Sequence, residues 1–239
     1  LFSSFLLNYY VGIVMDKYFK IRQFNLKLDD KVMISSFDLD LQQSTCLLGE
    51  SGSGKSLLLK KLVSDSSVYD TNSVVRFYFG ESKKVDNWRD AFGYSQLSLE
   101  YQRFLDSFLA NPFAIGNKLA IVRKLLDHPD YFFCEQLHLN ESDFWLFLQF
   151  LKEQNICLFY VTNQIEESVF FSYLIVLKNN QVAIEGRMDL VLKEEKLMKL
   201  LGFSLPFYVN LSKQLGYYGL VSKIYLNKED LEVALWQSR

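Results

Sequence analysis

The chain has little of what most metal centres and nucleic-acid interfaces are built from. Its 239 residues include two histidines, His128 and His138, which are too few and too isolated to suggest a metal site. Its three cysteines, Cys46, Cys134 and Cys157, have no metal-ligand spacing and all fall in apolar runs. They read as buried thiols in a reducing compartment. Basic charge is not in excess: 26 Lys and Arg stand against 28 Asp and Glu, for a net charge of −2. Nucleic acid is therefore not supported as the main partner. No internal repeat or low-complexity tract is visible. The apolar stretch Leu1 to Met15 is too short for a comfortable membrane span. It lacks the basic n-region and small-residue cleavage site of a signal peptide. It is expected to be a leader or extension before a natural start at Met15. The alternative is a short membrane-surface or partner-binding segment.

What is present is enough for a sizeable core. Hydrophobic residues make up 49% of the chain and aromatics 16%, in a length that suits one large domain or one domain with an appendage. The chain is organised around Gly49-Glu50-Ser51-Gly52-Ser53-Gly54-Lys55-Ser56, which has the pattern G-x-x-x-x-G-K-[ST] of a phosphate-cradling loop. The flanks suit that chemistry. Thr45 to Leu48 is a short apolar run that reads as a buried strand, and Leu57 to Val63 reads as a helix. Glycines let several backbone N–H groups converge on one anion, and the helix N-terminus adds its positive dipole end. Lys55 is placed to reach the β- and γ-phosphates, and Ser56 to offer a hydroxyl to Mg²⁺.

Along the chain, Tyr18 to Phe24 and Val32 to Leu41 read as strands, Ser64 to Ser73 as loop, and Val74 to Phe79 as a strand. Phe92 to Gln96 reads as a strand running into a loop. Leu99 to Leu109, Ile115 to Leu126 and Ser142 to Leu151 read as helices. Tyr131 to Glu135 is an apolar run ending in acid, and Ile156 to Thr162 is a buried strand. Leu174 to Leu177 and Gln181 to Ile184 flank Asn179-Asn180, a good hairpin turn. Strands alternate with helices through the middle, which predicts a mostly parallel sheet with helices on both faces.

With these motifs in this order, the chain from Met15 onward resembles an ABC transporter ATPase. Leu119 to Leu126 looks like the helix after that family's signature loop. Phe132-Phe133-Cys134-Glu135 looks like the Walker B strand, where the family has Asp-Glu. Val161-Thr162-Asn163 looks like the switch loop, where the family has His, and Ser172 to Gly186 looks like its closing hairpin. Leu201 to Phe207, Leu211, Gly216 to Leu220 and Leu226 to Trp236 resemble the C-terminal extension of ATPases in energy-coupling-factor (ECF) importers. The resemblance implies an α/β fold: a P-loop NTPase core of ABC type with a β-rich N-terminal part, a truncated helical subdomain and a small C-terminal extension. It divides the chain into residues 1–14, an ATPase domain at 15–195, and an extension at 196–239 that helps pair two ATPase subunits.

The same resemblance implies ATP and Mg²⁺ as ligands. Gly49, Ser51, Gly52, Ser53, Gly54, Lys55, Ser56 and Leu57 would bind the nucleotide, and Ser56 and Gln96 the metal. Glu135, Gln96 and Asn163 would carry the catalytic roles, with Glu135 as base. Several departures weaken that chemistry. Cys134 stands in the Walker B aspartate's place, and a neutral thiol is a weak acceptor. Asn163 cannot carry the charge of a histidine. The signature falls on Asn111-Pro112-Phe113-Ala114-Ile115, with its glycines and serine gone. Leu28 stands at the adenine-stacking place, with aromatic Phe24 nearby. Only Leu97 to Ala110 remains of the helical subdomain. The implied function is an ATP-binding subunit of an ECF-type ABC importer, with weakened hydrolysis at its own site. It would work at the cytoplasmic face of the cell membrane, with a second ATPase subunit, in a heterodimer, and with integral membrane subunits. The alternatives are a fully active transport ATPase completed by its partner, and a P-loop scaffold or nucleotide sensor outside transport.

Overall fold

The computed structural model describes residues 17–28, 31–80 and 85–237. The leader, Met15 and the side chain of Leu28 lie outside the described residues. In chain order, β1 (Phe19–Leu28), β2 (Lys31–Asp40) and β3 (Thr45–Gly49) lead into α1 (Lys55–Ser64). β4 (Tyr69–Thr71), β5 (Val75–Tyr78), α2 (Trp88–Ala91), α3 (Leu99–Phe108) and α4 (Ile115–Leu125) follow. Then come β6 (Tyr131–Glu135), α5 (Glu141–Glu153), β7 (Cys157–Thr162), α6 (Ile165–Ser168), β8 (Tyr173–Lys178) and β9 (Gln181–Arg187). The chain closes with α7 (Met188–Val191), α8 (Glu195–Leu200), α9 (Phe207–Tyr217) and α10 (Lys228–Gln237).

A six-stranded sheet in the order β5-β6-β7-β3-β8-β9 forms the centre, parallel except for β9. β3 lies in the middle, and all five of its residues are buried, which is why it reads as an unbroken apolar run. β9 is one of the two edges, and its residues alternate between exposed and half-buried, as one-sided packing requires. A second, antiparallel sheet in the order β2-β1-β4 lies against α1 and one face of the central sheet. On that face Phe133 packs on Phe19, Phe77 and Phe159 with ring centroids 4.7 to 5.1 Å apart.

The opposite face is covered by α3, α4 and α5 in a larger aromatic core. Phe104 of α3 stacks on Phe150 of α5 with centroids 3.9 Å apart, and Tyr101 meets the same ring edge-on. The segment Leu97 to Ala110 therefore packs as one helix on α5. α5 itself starts at Asn140, whose side chain accepts from the Asp143 amide at 2.8 Å.

Two local readings are corrected. Within the expected loop at 64–73, Tyr69 to Thr71 forms β4, because Tyr69 stacks on Phe19 at 4.7 Å and the three residues complete an edge against β1. The expected strand at 92–96 is a 3₁₀ turn, Tyr94–Gln96, entered through left-handed Gly93, which ends any extended run. The C-terminal elements share the larger core through Met198, Leu201, Phe203 and Val209. α10 begins where expected, with the Asp230 amide donating to the Asn227 side chain at 2.8 Å.

Candidate functional site: a phosphate loop over the sheet edge

β3 delivers the chain to the carboxyl edge of the parallel sheet, the edge where open α/β sheets hold ligands. There the loop turns back into α1. Gly54 is required twice: its φ is 92°, and a Cβ would sit 3.1 Å from the Met33 carbonyl of β2. The helix that follows has no side-chain cap and no acid in its first turn. Its first N–H groups and positive dipole end are left for a ligand.

A cavity of about 210 Å³ opens above this loop. Ser51, Gly52, Gly54, Lys55, Ser56 and Leu57 line it from the loop side, while Gly49 and Ser53 belong to the loop without lining the cavity. Facing them are Glu135, the last residue of β6, and Gln136 just beyond it, with Val161, Thr162 and Asn163 at the end of β7. Lys55 is buried. Its ammonium donates to the carbonyls of Gly49 and Glu50, both at 2.8 Å, and to Ser53 Oγ at 3.0 Å. Burial lowers its pKa, opposed by the Glu135 and Glu50 carboxylates. All three ammonium donors are in use, so Lys55 must exchange at least one of them to hold an anion.

The register of β6 decides which acid faces the loop. Tyr131 and Phe133 point to the α1 face, and Phe132 and Cys134 to the opposite core. Glu135 follows the α1 side, and the Ser56 hydroxyl donates to Glu135 Oε1 at 2.5 Å. This corrects the reading of Cys134. That side chain is fully buried on the far face, and burial, then Glu167, Cys46 and Glu135, pushes its thiol pKa well up. It cannot face a metal at Ser56. The carboxylate expected to act as base, Glu135, is the one held by Ser56. Gln136 comes next. Its backbone is left-handed with φ of 22°, and its side-chain amide donates to Asn163 Oδ1. Gln136 was missed in the sequence; the signal was its place directly after the acid that ends the strand.

Of the other expected residues, Asn163 joins the cavity and Gln96 does not. Gln96 is exposed in its 3₁₀ turn and is not among the lining residues. The segment Asn111 to Ile115 also lies apart from the cavity. It is held by Lys118, which donates to the Asn111 carbonyl at 2.9 Å and pairs with Asp143 at 2.6 Å in a buried ion pair. Phe113 there is exposed. Phe24 is half-buried against the smaller core and does not line the cavity.

The donor set fits both expected groups. Ser56 Oγ and the Glu135 carboxylate are hard oxygens on one spot, the type Mg²⁺ prefers. The uncapped helix end and Lys55 suit phosphate. About 210 Å³ is less than a typical small-molecule pocket, so it suits the phosphates and not a whole nucleotide. Among the described residues no helix is long and apolar enough to cross a membrane.

Fold and site together define an α/β protein that carries a glycine-rich loop and a helix N-terminus at the carboxyl edge of a mostly parallel sheet. No family model matches the chain, and no curated protein matches it. Among solved structures it is similar to one described as the structure of the ATP binding subunit of an ABC transporter. The TM-score is 0.58 at 13% identity, over 78% of this chain and 100% of that one. At that identity the likeness establishes the fold.

Proposed function

We propose that the chain is a nucleotide-binding subunit of the ABC ATPase class that binds Mg-ATP and hydrolyses it slowly. The observation that carries this is the alignment of the phosphate loop with Ser56 and Glu135 on one side and the Gln136–Asn163 amide pair on the other. Lys55 and the loop amides hold the phosphates, with Lys55 giving up its tie to Ser53. Ser56 and Glu135 would hold Mg²⁺, which would supply charge neutralisation at the phosphate oxygens. Metal holding thus passes from Gln96 to Glu135. Gln136 and Asn163 can orient a water by hydrogen bonds, but a carboxamide cannot take its proton. Among the described residues that line the cavity, Glu135 is the only carboxylate, and Ser56 already holds it.

ECF-type import, pairing with a second ATPase subunit through the C-terminal extension, and attachment to membrane subunits at the cytoplasmic face belong to the same proposal. The extension offers Phe207, 68% exposed, and Trp236, 70% exposed, whereas Leu231, 3% exposed, is consumed inside the chain. A second reading, a P-loop scaffold or nucleotide sensor outside transport, draws on α3, which packs on α5 as a single helix. The test of the main reading is titration with a fluorescent ATP analogue. Lys55→Ala is expected to weaken binding about tenfold or more, since a charge-assisted hydrogen bond contributes roughly 1.5–3 kcal/mol. Equal affinities for both proteins would reject the phosphate role of this loop. Isolation of the chain without any membrane protein would favour the second reading.

A further inference from the structure

The phosphate loop is tied by a side chain to the start of the C-terminal extension. Lys178, the last residue of β8, donates to the Glu50 carboxylate at 2.5 Å and to the Leu201 carbonyl at 3.3 Å. Glu50 is the second residue of the loop, and its own carbonyl holds Lys55 at 2.8 Å. One residue therefore touches the phosphate-binding lysine with its backbone and Lys178 with its side chain. Gly202 completes the junction. Its φ is 91°, and a Cβ there would come within 2.5 Å of Glu50 Oε1 and 3.7 Å of Lys178 Nζ. The backbone beyond α8 can lie against the carboxylate because residue 202 has no side chain. The Gly202 and Phe203 amides close the end of α8 on Lys199 and Met198, at 3.0 and 2.9 Å. Chain segments from three places in the sequence thus meet on one charge pair.

We propose that Lys178 is a positioning residue through which the C-terminal extension sets the affinity of the phosphate loop for nucleotide. The proposal rests on the nucleotide-binding reading above. Glu50 places a negative charge in a loop that receives a polyanion, and Lys178 neutralises it. Lys178 divides its donors between Glu50 and Leu201, so displacement of the backbone at Leu201–Gly202 changes how well Glu50 is compensated. It also shifts the carbonyl that holds Lys55. The coupling is reciprocal: whatever the extension does to nucleotide affinity, nucleotide does to the extension by the same factor.

The experiment uses the full chain and the variants Glu50→Gln, Lys178→Met, Lys178→Arg and the double Glu50→Gln/Lys178→Met. A fluorescent ATP analogue is titrated into each. Lys178→Met should weaken binding about threefold, because the unmasked carboxylate is half-exposed and screened. Lys178→Arg should restore affinity. Glu50→Gln should bind at least as well as the wild type, and in its background Lys178→Met should have no further effect. Hydrogen exchange supplies a second readout: nucleotide should slow exchange at Gly202 and Phe203 in the wild type and not in Glu50→Gln. That arm decides the matter even if Lys178→Met does not fold. Equal weakening by Lys178→Met in both backgrounds, or exchange at Gly202 that ignores nucleotide in a protein that binds it, overturns the link alone. Absence of binding by the wild type overturns the nucleotide reading and the link with it.

Discussion

Replacing Cys134 with aspartate separates the two ways of placing the acid of β6. If Cys134 occupied the metal-holding place, Cys134→Asp would restore a metal ligand and speed hydrolysis. The structure requires the opposite. Cys134 is 0% exposed, and its ladder partners on the neighbouring strands are Tyr78 and Tyr160. Ionisable groups acting on it are Glu167, Cys46 and Glu135, none of them a cation. A carboxylate there loses its hydration and gains like-charged neighbours, and both effects raise its pKa. Burial alone can raise such a group by 3 units or more. At about 1.4 kcal/mol per unit, the loss at pH 7 is about 4 kcal/mol. That is a large part of the 5–15 kcal/mol by which domains are ordinarily stable. The sign follows from linkage. A group whose folded pKa is raised costs nothing extra below its unfolded value, about 3.9 for Asp, and progressively more as pH rises above it. Urea melts at pH 4, 5.5 and 7 are therefore expected to show Cys134→Asp falling further behind the wild type at each step, while Cys134→Ala keeps a constant deficit. Phosphate release should not rise. A Cys134→Asp protein as stable as the wild type, with new Mg²⁺-dependent hydrolysis, would refute the placement of Glu135 beside Ser56.

The complementary change is Gln136→Glu, which offers a carboxylate beside Asn163. In a complex with a partner subunit it should raise phosphate release by roughly 10²-fold or more, the scale of a regained general base, and adding Asn163→His should raise it further; unchanged release would mean that the base belongs elsewhere. On the proposed pairing through the C-terminal elements, Phe207→Ser should abolish co-purification with a second ATPase subunit while leaving the melting midpoint unchanged. Leu231→Ser should lower the midpoint, since it places a hydroxyl among buried contacts. Acid should loosen the same region. Glu195 is held by Lys199 and Lys213 with its pKa lowered to about 2, so its ties are complete above its usual range near 4.5 and are lost as pH falls toward 2. Exchange rates in α8 and α9 should rise over that window in the wild type and show no such step in Glu195→Gln.

Some of this was legible in the residues alone, for identifiable reasons. The loop at Gly49 to Ser56 is contiguous, and its chemistry needs its residues in sequence order, so the candidate site is legible in the pattern itself. The central strands announced themselves as apolar runs, and Asn227 with Asp230 started α10 as a local cap should. The 3₁₀ turn at Tyr94–Gln96 was less legible, because one left-handed glycine outweighed the extended propensity of its neighbours. β4 was hidden because its three residues gain order only from a partner far away in the chain.

The sequence by itself determined a loop of the phosphate-cradling pattern between a buried strand and a helix, on an α/β core. Only the tertiary structure decided what faces that loop. Successive residues of a strand point to opposite sides, so one step of register exchanges a buried thiol for a carboxylate. Cys134, Glu135 and Gln136 are adjacent in sequence. The packing of Phe133 under Phe19 and Phe77 fixes β6 so that Cys134 enters the far core, Glu135 reaches Ser56, and Gln136 meets Asn163. The junction of Glu50, Lys178 and Gly202 was invisible for a related reason. Its members lie up to about 150 residues apart, and only the closing of the extension onto the sheet edge brings them together.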